Sequence, residues 1–110
     1  MPNGWDRNWL RFQWTASAFR HRHGHWPARV RMHPDMLHHL KDLFSENRFA
    51  VLQAKVAILP DEAVDVTDFF VAEDDQGNSC AYEGPPKQSD ADDPRRWLGV
   101  SPDNPHGRRD

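Results

Sequence analysis

After Pro34, the apolar residues Met36, Leu37, Leu40, Leu43 and Phe44 recur at three- and four-residue spacing. A stripe of this kind belongs to a helix with one buried face, and that face must pack on a second layer. Proline fits the first helical turn, where its missing N–H is not needed. Just before it, Arg29, Val30, Arg31, Met32 and His33 alternate polar and apolar, the pattern of a half-buried strand. A strand–helix unit is therefore the minimum that this chain must build. With 110 residues, it has room for one small domain around it.

The flanking segments add to this unit. Residues 6–23 read as an amphipathic helix, with Asp6 as N-cap and Trp9, Phe12, Ala16 and Phe19 on one face. A strand-like alternation of Leu10, Phe12, Trp14, Ala16 and Ala18 competes with that reading. The helix is preferred because Arg20–His23 suits a helix C-terminus and Gly24 a left-handed C′ position. Ser45 predicts the start of a short helix through Phe49 and Leu52, and a strand follows from Ala54 to a stop at Pro60. Residues 69–84 read as a β-hairpin turning at DDQGN. The expected fold is α+β: an N-terminal helix, the strand–helix unit, and a C-terminal antiparallel sheet of about three strands. Residues 1–84 form the domain. Residues 85–110 are a charged, proline-rich tail expected to be disordered, in which Trp97–Val100 is the docking candidate.

The charge is unevenly distributed. Residues 1–60 hold nine Lys/Arg and four Asp/Glu, whereas residues 61–110 hold five and thirteen. One reading is that the two halves pack together and neutralise each other. The other is a basic surface for nucleic acid or another polyanion, carried by Arg7, Arg11, Arg20, Arg22, Arg29 and Arg31 with interleaved aromatic rings.

Seven histidines are the other chemical resource. His21, His23 and His25 lie at alternate positions, and in an extended conformation they would share one side. With His33 they make a candidate divalent-metal set, a site for a metal-binding protein or a metal-dependent hydrolase. Gly24 and Pro27 argue against an extended conformation and for a helix end followed by a turn. Asp35 and His39 form a second, weaker carboxylate–imidazole pair at i, i+4 spacing. A third arrangement would draw His33, His39 and Tyr82 together from separate segments.

No nucleophile elbow, zinc-protease or P-loop pattern occurs. The single Cys80 cannot form an intrachain disulfide, and no apolar run reaches the length of a membrane span. These features predict a cytoplasmic, non-catalytic interaction module without a resident cofactor, which binds a protein partner or itself and does not enter a membrane. Trp97 and Leu98 would dock either on a partner or on the domain's own core.

Overall fold

The computed structural model describes residues 8–65, 68–84, 93–100 and 102. The elements in chain order are helix α1 (Asn8–His23), strand β1 (Arg29–Met32), helices α2 (Pro34–Lys41) and α3 (Glu46–Lys55), strands β2 (Ala57–Pro60), β3 (Val71–Glu73) and β4 (Ser79–Ala81), and a short helix α4 (Asp93–Leu98).

The strands form one mixed sheet in the order β2-β1-β3-β4. This corrects the expectation of about three antiparallel strands at the C-terminus. The strand of the strand–helix unit, β1, lies in the interior of the same sheet. It pairs parallel with β2, from Arg29↔Ala57 to Met32↔Pro60. A parallel pair needs a crossover, which α2 and α3 supply. On its other side β1 pairs antiparallel with β3, and β3 with β4 through the expected hairpin. The arms of that hairpin are shorter than residues 69–84 would allow, and β2 starts at Ala57, three residues later than Ala54.

Register explains the two faces of the sheet. Ile58, Val30, Ala72 and Cys80 stand in one row across the four strands, and all four are buried. Phe12 and Phe19 of α1, Leu40 of α2 and Leu52 of α3 are fully buried with them in one core cluster. Burying a Phe or Leu side chain contributes roughly 1.5–3 kcal/mol, so this layer holds the fold together. The neighbouring row, Ala57, Arg29, Glu73 and Ser79, points to the opposite face, where charge is tolerated.

The helix ends follow local chemistry. The Ser45 hydroxyl accepts from Arg48 N at 3.3 Å and starts α3. His33 Nδ1 accepts from Asp35 N at 3.0 Å and starts α2, with Pro34 in the first turn. Gly24 has φ +83° and closes α1, its N–H donating to Arg20 O at 2.7 Å. The proposed N-cap of α1, Asp6, lies outside the described residues. Within the tail expected to be disordered, Asp93–Leu98 is helical and packs against α1. Leu98 and Val100 join the core, which matches docking on the chain's own domain.

Candidate interaction surfaces

The arginines of the basic half meet the carboxylates of the acidic half. Arg22 pairs with Glu83, and Arg29 with Asp75 and, at 3.6 Å, Glu73. Arg31 lies between two carboxylates, Asp61 and Glu73. The hydrogen bond to Glu73 raises the Arg31 pKa still further above its ordinary value, and Asp61 adds to this against the opposing effect of burial. The Asp61 carboxyl is held below its usual range, first by the N–H of Ala63 and then by Arg31. Arg11 binds Asn8 Oδ1 at 3.1 Å and stacks over the Phe69 ring, and Arg20 stacks over Trp26. Arg7 lies outside the described residues. The five described arginines of the candidate set therefore do not converge on one shared anion cradle. Three of them sit in ion pairs with residues 61–83.

The histidines go to separate places. His21 is exposed on the last turn of α1. His23 Nε2 is 3.3 Å from Ser79 O, and His25 Nε2 is 2.7 Å from Asp74 Oδ2. His33 caps α2 and lies 3.8 Å from Asp35 Oδ2, while His39 lies beside His38 with ring centroids 6.0 Å apart. No group of three or more His, Cys, Asp or Glu side chains among the described residues is placed to hold a metal ion. The turn at Gly24 separates the imidazoles that an extended strand would have aligned. His33 follows the interior strand β1 and His39 lies on α2, which packs on β2, whereas Tyr82 follows β4 at the opposite margin of the sheet.

Asp74 was legible only as a turn residue, yet it organises the hairpin. It is 7% exposed. Its carboxylate accepts from the N–H groups of Gln76 and Asn78, from Asn78 Nδ2, and contacts His25. Burial would raise its pKa, but these hydrogen bonds outweigh burial and hold it well below the usual carboxylate range. His25 thereby ties the turn after α1 to the hairpin tip. The Cys80 thiol is pushed up by burial first and by Glu83 second, which disfavours the thiolate.

Two aromatic groups flank α1. On one flank Trp26 and Trp97 stack at 4.4 Å and 3°, with the Arg20 guanidinium 4.7 Å from the Trp26 centroid. This stack fastens α4. On the other flank Trp14 stacks on Tyr82 at 6.4 Å, and Phe69 meets Tyr82 edge-on at 5.1 Å. Phe69 holds φ +61°, a left-handed conformation costly for an aromatic residue. Sequence reading missed this second group, because Tyr82 and Trp14 are 68 positions apart.

The two outer strands present different edges. In the parallel pair, Ala57 N donates to the carbonyl of Ala28, just before β1, and Asp61 N to that of Met32, so Ile58 and Pro60 face outward. Ile58 N donates to Gln53 Oε1 at 2.9 Å, and Pro60 has no N–H. The β2 edge thus lacks an available donor. In the hairpin, Asp74 N bonds Asn78 O and Tyr82 N bonds Phe70 O. Alternation then turns the N–H and C=O groups of Ser79 and Ala81 away from β3. Among these, Ser79 O meets His23. No helix among the described residues is long and apolar enough to cross a membrane. No protein-family model matches the chain, and no curated protein or solved structure is significantly similar to it.

Proposed function

We propose that the chain is a non-catalytic interaction module whose partner is a protein. The observation that carries this reading is internal charge compensation: Arg22, Arg29 and Arg31 are each engaged by carboxylates from Asp61 to Glu83. An arginine already bridging two acids has little to offer a phosphate, since binding a polyanion would mean displacing those carboxylates. The surface that remains mixes apolar and aromatic groups, with Leu10, Val51 and Leu59 exposed and Trp14, Trp26 and Tyr82 half-buried. Aromatic enrichment suits protein interfaces.

Two measurements test this reading. Anisotropy titrations with labelled single- and double-stranded oligonucleotides and with heparin, at low ionic strength, are expected to show no binding. Binding that weakens steeply with salt would establish the polyanion alternative instead. Display of random peptides against the folded, immobilised chain is expected to enrich binders, and failure to enrich any would sink the protein-partner reading.

A further inference from the structure

We propose that the outer edge of β4 is the docking site, and that it takes an extended peptide with an acidic and a large apolar side chain on one face. The inference rests on the interaction-module reading above and names its surface. The first support is the asymmetry of the sheet. Natural sheets protect edges with proline and with side chains that occupy the outward groups. The β2 edge has both, Pro60 and Gln53. Along β4, the N–H groups of Ser79 and Ala81 face outward and both residues are exposed, while the Ala81 carbonyl accepts a long hydrogen bond, 3.5 Å, from the Cys80 thiol. An added strand would bond to these groups, the mode of recognition known as β-augmentation.

The second support is what stands beside the edge. From α1, His23 reaches Ser79 O at the hairpin-tip end, and Arg22 pairs with Glu83, two residues past the far end of β4. Arg31, which holds two carboxylates, shows that a guanidinium fork in this protein accommodates a second acid. Unlike Arg31, Arg22 holds the one carboxylate of Glu83, so its fork keeps donors for a peptide carboxylate. At the other end, the stacked Trp14–Tyr82 pair offers a half-buried aromatic surface. Alternate residues of a strand share a face, so the acidic and apolar side chains would sit two residues apart.

A second copy fits this edge poorly. Pairing β4 with β4 sets three residues against three, well short of the roughly 1,000 Å² expected of a stable interface. A peptide is not held to that length and can continue past Tyr82 toward Trp14.

The test uses the full-length, isotope-labelled chain and a synthetic, end-blocked threonine- and valine-rich heptapeptide carrying Glu and Phe two positions apart. Titration is expected to shift the amides of Ser79 to Glu83 and to leave Ile58 unmoved. Replacing the peptide Glu by Lys should weaken binding about tenfold, equivalent to 1.4 kcal/mol. Ala81→Pro, which removes one outward N–H, should weaken it by a similar factor. Should Ala81→Pro misfold, Arg22→Glu provides a second variant, expected to prefer the Lys peptide over the Glu peptide. Shifts elsewhere with Ser79–Glu83 unmoved would overturn the β4 site while leaving the module reading standing. β4 shifts that depend on protein concentration without peptide would overturn the peptide as occupant in favour of a second copy. Indifference of both variants to peptide charge would overturn the proposed chemistry.

Discussion

The two margins of the sheet are built from strands of similar length, yet they differ in what they leave to solvent. At β2 every outward donor is removed or used: Pro60 has none, and the Ile58 N–H is taken by Gln53. At β4 the Ala81 N–H faces outward, its carbonyl accepts from the Cys80 thiol at 3.5 Å, and among the described residues a basic helix end and an aromatic pair stand beside them. The difference teaches that closing an edge needs few residues. One proline and one glutamine five positions before the strand residue they protect are enough.

The comparison depends on a shared core, and the largest effect is expected there. Phe70→Ala empties a fully buried site beside Phe12, whose ring it meets edge-on at 5.6 Å. Denaturant unfolding should show a loss of about 3–5 kcal/mol, and both edges should lose definition together. A loss under about 1 kcal/mol would mean that the β3–β4 arm is held by something other than this ring.

A smaller effect isolates the open side. Asp74 has a depressed pKa in the folded protein, so its contribution is present above the unfolded-state pKa, near pH 4. That contribution is lost as pH falls through the lower folded value. The melting temperature of the wild type should therefore drop on acidification below about pH 4. Asp74→Asn should start lower at neutral pH and show a shallower drop. Equal slopes for the two proteins would remove Asp74 from the acid response.

Gln53→Ala probes the closed side. Loss of its hydrogen bond to Ile58 should cost about 1 kcal/mol, and it frees an outward donor on β2. Size-exclusion chromatography at rising concentration should then show association that the wild type lacks. The smallest effect on stability belongs to Ala81→Pro, expected within about 0.5 kcal/mol, because the N–H it removes faces away from the ladder. A large loss would show that this N–H has a partner within the protein.

Much of the fold was legible because it follows from periodicity and turn chemistry. The Met36–Phe44 stripe gave α2, although the helix stops at Lys41 and Leu43 and Phe44 are buried in the turn after it; Pro34 gave its start, and Gly24 the end of α1. The hairpin at DDQGN followed from Gly77, at φ +90°, and Asn78. Sheet order was not legible. Nothing local tells β1 that its neighbours are β2, parallel, and β3, antiparallel, since pairing is decided by which rows bury Ile58, Val30, Ala72 and Cys80 together. The charge asymmetry was visible, but its resolution was not: the ion pairs join residues as distant as Arg22 and Glu83. The histidine run illustrates the same limit. Gly24 accounted for the turn, whereas the partner of His25 had to come from the hairpin tip. The edge contrast lay beyond sequence reading altogether, because it requires knowing which strands are outermost.

Amide hydrogen exchange at two positions tests the contrast most directly. In the full-length protein the Ile58 amide should be protected, and Gln53→Ala should strip that protection. The Ala81 amide should exchange close to the rate of an unprotected peptide group, while its ladder neighbour Cys80 stays protected. An Ala81 amide as slow as that of Ile58 would contradict the account, because the β4 edge would then already be covered.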